Sequence, residues 1–177
     1  YIAPSKDGLV SPEDVKKAIK GNTALVSIMY ANSEIGTIQP IAEIGAIVKK
    51  PTLFHVDAVQ AAQFLDCDVQ KLGADLLTLS GHKIYGPKGV GVLYIKEGLP
   101  AGQAGTALSP LNVGGGQEQG MRSGTENVAG IVGMGTAVGD VQNPRARVRN
   151  IKIRQLRDML IKEVLLKIPG SSLSPFL

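Results

Sequence analysis

Short apolar runs alternate with segments of helical spacing along the first half of the chain. Four of the runs have the length of a β-strand, at residues 24–30, 52–56, 76–79 and 90–95. Apolar runs separated by helices are typical of parallel strands, because such strands are buried on both faces of their sheet. The pattern therefore predicts an α/β fold, with a mostly parallel sheet and helices on both faces.

The predicted helices are marked by caps and by apolar residues at every third or fourth position. Ser11 precedes Pro12, a residue that is favoured in the first turn of a helix. Lys49 and Lys50 stand at the predicted end of the second helix, where the helix dipole favours cations. The predicted helices cover residues 12–19, 41–50, 58–63, 127–141 and 143–168. The last has an apolar stripe, formed by Val148, Ile151, Leu156, Met159, Leu160 and Val164.

Composition and charge limit the classes of protein to which this chain can belong. The net charge of +4 is too small to indicate a nucleic-acid binder by itself. No apolar run approaches the roughly 18 residues of a membrane-spanning helix, so we expect no membrane partner. Glycine makes up 22 of the 177 residues, and several glycines lie in residues 96–123, where we predict a long loop. The single cysteine, Cys67, allows no internal disulfide and favours the cytoplasm.

The candidate functional residues follow the predicted strands, because parallel sheets bind ligands at the carboxyl ends of their strands. Lys83 follows the third run, where loss of solvation would leave its amine free to attack a carbonyl. Asp57 follows the second run. Alone, Lys83 fits a solvated surface lysine and Asp57 a turn cap. Together they suit pyridoxal phosphate, whose aldehyde binds a lysine and whose ring nitrogen stays protonated beside a carboxylate.

Four further polar residues stand near the same strand ends. Ser80 and His82 flank the predicted lysine and can donate hydrogen bonds to a phosphate group. Asn32 and Gln60 are amides that can bond the phenolic oxygen of the cofactor ring. Each amide could instead satisfy a turn, and His82 could be a core histidine. Only the set as a whole indicates a cofactor site.

Three blocks of sequence resemble the cysteine desulfurases, which are class V pyridoxal-phosphate enzymes of fold type I. The blocks are FHVDAVQ at 54–60, SGHKIYGPKGVG at 80–91 and GGGQEQGMRSGTEN at 114–127. The resemblance runs from near Tyr1 to the long helix, and it is specific because all three blocks occur in the family's order. It implies that residues 1–140 are most of the cofactor-binding large domain. Residues 141–177 would be a linking helix and the start of a smaller domain.

The resemblance also implies a role for each candidate residue at the cofactor ring. Lys83 would form the Schiff base with the aldehyde, and Asp57 would pair with the pyridine nitrogen. Asn32 and Gln60 would contact the ring oxygen. At position 33 this sequence differs from the family, which usually has a second asparagine where Ser33 stands. The difference concerns the fit of the substrate.

The phosphate of the cofactor is the second group that the resemblance assigns. Ser80 and His82 would bind it within the same chain. Thr125 would reach the phosphate held by the other subunit of a homodimer, which makes the glycine-rich block an interface element.

The activity implied is removal of sulfur from L-cysteine, which leaves alanine and an enzyme persulfide for delivery to a sulfur-acceptor scaffold protein in iron–sulfur cluster assembly. The family's sulfur-accepting cysteine lies downstream of the long helix. Cys67 does not replace it, because Asp66 and Asp68 on either side raise the pKa of a thiol. Both ends of the chain look cut, so we expect a piece of a longer enzyme that is inactive alone.

Three alternatives remain open from the sequence. A selenocysteine lyase or another class V enzyme would share these residues, because substrate choice depends mostly on the missing carboxy-terminal region. A non-catalytic assembly module would have no need of the paired lysine and carboxylate. A nucleic-acid binder is suggested by the basic residues of the long helix, although aromatic residues for base stacking are absent there. These basic residues are Arg145, Arg147, Arg149, Lys152, Arg154 and Arg157.

Overall fold

The computed structural model describes residues 1–97 and 108–172, and the strands in these residues form one sheet. Its strands are β1 (Leu25–Met29), β2 (Leu53–Asp57), β3 (Leu76–Ser80) and β4 (Gly91–Ile95), adjacent in chain order. The first three strands are parallel, and β4 pairs antiparallel with β3. The predicted α/β fold with a mostly parallel sheet is confirmed.

The helices are α1 (Pro12–Ala18), α2 (Ile41–Ile47), α3 (Val69–Leu72), α4 (Val128–Gln142) and α5 (Pro144–Lys167). Short 3-10 turns cover Gly81–Lys83 and Glu118–Gly120. Helix α2 is shorter than predicted, because Val48 adopts extended backbone angles and Pro51 disfavours helix at the residue before it. Part of the predicted loop, residues 98–107, lies outside the described residues.

The predicted helix at 58–63 is wrong, because the chain there forms consecutive turns. The backbone N–H groups of Ala61 and Ala62 both donate to the carbonyl of Ala58. The N–H groups of Phe64 and Leu65 in turn both donate to the carbonyl of Ala61, so the bonds form separate turns and not the continuous ladder of an α-helix. Helix α3 was not predicted, although Asp68 caps it and Gly73 ends it in a left-handed conformation.

The main core lies on one face of the sheet. Phe54, Val56 and Leu77 point from the strands into a buried cluster that includes Ile41 and Ile44 of α2. A second cluster joins Ile84, after β3, to Met134 and Ala137 of α4. Because side chains alternate along a strand, the other face carries the intervening positions, which include polar residues of all three parallel strands.

A buried carboxylate links the amino-terminal ends of β2 and β3. Asp75 accepts the backbone N–H of Phe54 at 3.1 Å and an ammonium hydrogen bond from Lys50 at 3.0 Å. Lys96 lies 3.8 Å from the same carboxylate. Lys50 thus pairs with this acid, beyond the end of α2, instead of supporting the dipole of that helix. These bonds set the register of the strands at the end of the sheet opposite to the strand ends that carry the candidate residues.

Helix α5 forms as predicted, but its apolar stripe is largely exposed among the described residues. Val148 is 68 % exposed and Leu160 63 %, whereas Ala146 is buried. The Nδ2 of Asn150 donates to the carbonyl of Gln63 at 3.0 Å and anchors the start of the helix. In the part of the chain that the structure describes, no helix is long and apolar enough to cross a membrane.

Candidate functional site

Asp57 and Lys83 lie at the same edge of the sheet, Asp57 at the end of one parallel strand and Lys83 in the turn after its neighbour. Asp57 ends β2 and pairs in register with Thr78 of β3. The chain continues through Ser80 into the 3-10 turn that contains Lys83. Neighbouring strands are about 4.8 Å apart. A carboxylate and an amine attached to adjacent strand ends can therefore contact one ring-sized ligand, as the sequence predicts.

Both groups are available to a ligand. Asp57 is half-buried, and its Oδ1 accepts the N–H of Val59 at 3.0 Å, while its Oδ2 accepts no hydrogen bond within the described residues. Lys83 is exposed, so the loss of solvation expected from the sequence is absent here. The reason is geometric: the turn carries the lysine beyond the end of β3, outside the cluster that buries Ile84.

Ser80 and His82 form a polar pair beside the lysine. The hydroxyl of Ser80 is hydrogen-bonded to Nδ1 of His82 at 2.9 Å. Gly81 between them is tightly enclosed, since a Cβ at this position would lie 2.8 Å from the carbonyl oxygen of Pro87. His82 is exposed, which excludes the core-histidine interpretation in the described part of the chain.

The two amides behave differently. Asn32 Oδ1 accepts the backbone N–H groups of Glu34 and Ile35, so its oxygen satisfies a turn. Its Nδ2 donates to the sulfur of Met29 at 3.4 Å, and Met29 is the register partner of Asp57, so this amide nitrogen lies at the same strand ends. Gln60 is half-buried and makes no side-chain hydrogen bond within the described residues. Both amides thus keep donors for a ligand.

An apolar cleft of about 600 Å³ runs along β1. Asn32 and Met29 line it, whereas Asp57 and Lys83 do not. The cleft therefore borders the candidate site and does not contain the paired amine and carboxylate.

The glycine-rich block holds its own shape through hydrogen bonds within the segment. The side chain of Gln117 accepts the N–H of Gly124 at 3.0 Å, and the hydroxyl of Ser123 accepts the N–H of Gly116 at 3.3 Å. Thr125 is exposed at the end of this block. An ordered, exposed threonine suits the predicted contact with a second subunit, which stays a prediction.

The sequence did not predict the side-chain contacts that hold Tyr85, in the turn after Lys83. Tyr85 has a left-handed backbone, with φ of 68°, which is unusual for a bulky residue. Its hydroxyl accepts a hydrogen bond from Gln63 at 2.6 Å, and the guanidinium of Arg149 stacks 5.0 Å from its ring centre. One basic residue of α5 thus contacts the turn that follows Lys83. The sequence does not indicate these contacts, because they join residues that are far apart along the chain.

A polar row on the second face of the sheet was also missed. The ring of His55 on β2 is hydrogen-bonded to Ser27 of β1 on one side and to Thr78 of β3 on the other. We interpreted these strands as apolar throughout, although polar residues interrupt each of them. Their alternation could have shown that this face of the sheet is polar next to the strand ends.

Cys67 is half-buried and far less acidic than a free thiol. Burial raises the pKa of Cys67 to about 11, and the Asp66 charge adds to the effect. The predicted direction is confirmed, but burial contributes more than charge, and of the two flanking aspartates only Asp66 contributes. A thiol with such a pKa stays protonated, and hence poorly nucleophilic, throughout the neutral range.

We therefore expect Cys67 to be inert. In the full-length protein at pH 8, iodoacetamide should label the peptide that contains Cys67 on the order of 100-fold more slowly than denatured protein. The rate should rise with pH up to about 11, where the thiol ionises. Labelling of native Cys67 at the denatured rate at pH 8 would contradict a structural role. Mass spectrometry of the labelled peptide gives the rate.

The donor set at this edge fits pyridoxal phosphate. A primary amine, a carboxylate with a free oxygen, and a hydroxyl–imidazole pair stand on consecutive strand ends, at Lys83, Asp57, Ser80 and His82. Their chemistry matches an aldehyde, a ring nitrogen and a phosphate respectively. The fold and the site together define the class of α/β proteins that hold pyridoxal phosphate at the carboxyl edge of a mostly parallel sheet.

Comparison with known proteins identifies the family. The sequence matches the aminotransferase class-V family over residues 1–175, and the chain belongs to this family, whose members depend on pyridoxal phosphate. It is 47% identical over 175 residues to cysteine desulfurase IscS of Clostridium botulinum, and 49% identical over 175 residues to that of Methanosarcina thermophila. These matches cover 98% of this chain and 42% and 41% of the relatives.

Solved structures give the same result. A NifS-like protein superposes with a TM-score of 0.84 at 40% identity, over 93% of this chain and 44% of its own. SspA in complex with cysteine superposes with a TM-score of 0.72 at 45% identity, over 78% of this chain and 39% of its own. The chain thus spans less than half the length of these relatives, and the resemblance to cysteine desulfurases seen in the sequence is confirmed.

Proposed function

We propose that the full-length protein is a cysteine desulfurase that breaks the C–S bond of L-cysteine, leaves alanine, and transfers the sulfur to a cysteine thiol other than Cys67, where an S–S bond forms the persulfide. The observation that carries the proposal is the placement of Asp57 and Lys83 at adjacent parallel strand ends. The identity to cysteine desulfurases over 98% of the chain supports it. So does the cysteine bound to SspA, whose structure is similar.

Each residue at the strand ends has a defined task in this proposal. Pyridoxal phosphate, when bound, supplies an electron sink for the substrate's bonding electrons. Lys83 would hold the aldehyde of the cofactor, and its amine would move the proton of the substrate α-carbon. Asp57 would pair with the ring nitrogen and keep that nitrogen protonated.

The surrounding polar groups orient the ring. Asn32 and Gln60 would donate their amide N–H groups to the phenolic oxygen of the cofactor. Ser80 and His82 are already hydrogen-bonded to each other and would hold the phosphate on the side of the turn. These four side chains would hold the ring at both ends, in one orientation toward the substrate.

The assembly and its surroundings are also part of the proposal. The protein acts as a homodimer in which Thr125 contacts the phosphate held by the other subunit. Thr125 is exposed on a loop that is held by hydrogen bonds within its own segment, and this supports the role. The persulfide passes to a sulfur-acceptor scaffold protein for iron–sulfur cluster assembly in the cytoplasm.

The test uses full-length protein reconstituted with pyridoxal phosphate and supplied with L-cysteine. Release of alanine together with an equal amount of persulfide sulfur is the expected result, and it should depend on added cofactor. L-selenocysteine serves as the comparison substrate. Alanine release from selenocysteine but none from cysteine would overturn the proposed substrate.

A further inference from the structure

We propose that His55 is a positioning residue for the cofactor site: through hydrogen bonds to Ser27 and Thr78, its ring holds the end of β2 that carries Asp57. The proposal rests on the function proposed above and deepens it. His55 has no part in the roles assigned so far, yet it lies on the same strand and the same face as the carboxylate that the site requires.

The bonds of His55 span three strands. Its Nδ1 is hydrogen-bonded to the hydroxyl of Ser27 at 2.7 Å, and its Nε2 to the hydroxyl of Thr78 at 2.5 Å. Ser27 is the register partner of His55, whereas Thr78 is the register partner of Asp57. The ring is therefore fixed on both sides, and one of its contacts is the residue directly beside the carboxylate.

The same three strands also fix the backbone of Asp57. Its carbonyl accepts the N–H of Tyr30 at 2.8 Å, and the carbonyl of Thr78 accepts the N–H of Ala58 at 3.1 Å. The hydroxyl of Thr78 faces the ring of His55 while its carbonyl holds the residue after Asp57. Loss of the ring would leave the hydroxyl of Thr78, directly beside Asp57, without this partner.

The charge of the ring matters as much as its position. Burial lowers the pKa of His55, and the charge of Asp57 opposes this to a smaller extent. The flanking groups from β1 and β3, Ser27 and Thr78, are uncharged, and β4 places Leu93 beside Thr78. His55 is thus neutral at neutral pH, with one nitrogen donating and the other accepting a hydrogen bond.

A neutral ring leaves the carboxylate charge to the cofactor. His55 and Asp57 are two positions apart on one strand, a spacing of about 6.6 Å along the chain. A cation at that distance would compete with the ring nitrogen of pyridoxal phosphate for the same negative charge. The hydroxyl partners give His55 bonds without adding a charge, so they support position and neutrality together.

The test is a double-mutant cycle on the affinity of the full-length apoprotein for pyridoxal phosphate, measured by absorbance titration at pH 8. His55→Phe keeps a planar ring and removes both nitrogens. We expect it to weaken cofactor binding about tenfold in the presence of Asp57, since two hydrogen bonds are lost. In an Asp57→Asn background the same change should alter binding less than about twofold, because the group that His55 positions is gone.

Matched variants on either side of the ring sharpen the result. Ser27→Ala and Thr78→Val each remove one bond, and each should weaken binding less than His55→Phe does. The thermal midpoint of each apoprotein is recorded in both backgrounds, because a merely structural loss would lower affinity equally with and without Asp57. Equal effects in both backgrounds overturn the proposal.

The outcomes separate this inference from the proposed function. If Asp57→Asn leaves the affinity unchanged, the cofactor role of Asp57 is wrong and the proposed function fails. If Asp57→Asn weakens binding while His55→Phe does not, only the positioning role of His55 fails.

Discussion

Lys83→Ala in the full-length protein should abolish the visible absorption band of bound pyridoxal phosphate and lower alanine release from cysteine on the order of 1,000-fold. The amine is the group that binds the aldehyde and moves the α-proton, so both steps lose their reagent at once. The exposed position of Lys83 at the strand end means that the substitution disturbs no buried contact. The measurements are the absorption spectrum and the rate of alanine formation.

A nearby lysine provides the control for this experiment. Lys88 is also exposed and lies five residues further along the same block. Lys88→Ala should leave the band in place and the rate within about twofold, as expected of a surface substitution. An unchanged band in Lys83→Ala, or a band lost only in Lys88→Ala, would show that the lysine has been misassigned.

Gly45→Ala should destabilise the full-length protein by about 3 kcal/mol, at the upper end of the range for overpacking. A Cβ on Gly45 would lie 2.2 Å from the carbonyl oxygen of Leu72, and this neighbour is backbone that cannot rotate away. The substitution therefore forces α2 and α3 apart, and with them the cluster that buries Ile44 and Phe54. Equilibrium denaturation in urea measures the loss.

Gly139→Ala is the matched control, because it makes the same change inside α4, where a Cβ would meet no atom within 4 Å. It should be neutral or stabilising by up to about 1 kcal/mol, since alanine favours helix more than glycine does. Equal effects of the two substitutions would mean that helix propensity, and not the contact between α2 and α3, controls stability at Gly45.

The sequence predicted the features that depend on local periodicity. The strands ended within one or two residues of their predicted bounds, because apolar runs and the turns that follow them are local signals. The placement of Asp57 and Lys83 at one edge followed from the general rule for parallel sheets. The failure at residues 58–63 has no such local signal, since Asp57 accepts the N–H of Val59 just as Asp68 accepts that of Gln70 at the start of α3.

The features that were missed depend on contacts between distant positions. Arg149 stacks on Tyr85, 64 positions earlier in the sequence, and no pattern along the chain indicates such a contact. The row formed by Ser27, His55 and Thr78 is visible only once the register of three strands is known. The exposure of Lys83 likewise follows from how the turn leaves β3, which composition does not encode.

A crystal structure of the full-length protein with pyridoxal phosphate tests most directly whether Asp57 and Lys83 bind the same cofactor. We predict a covalent bond from Lys83 Nζ to the cofactor's aldehyde carbon, with an oxygen of Asp57 about 2.7–2.9 Å from the ring nitrogen. A cofactor attached to another lysine, or a ring nitrogen that faces away from β2, would contradict the account.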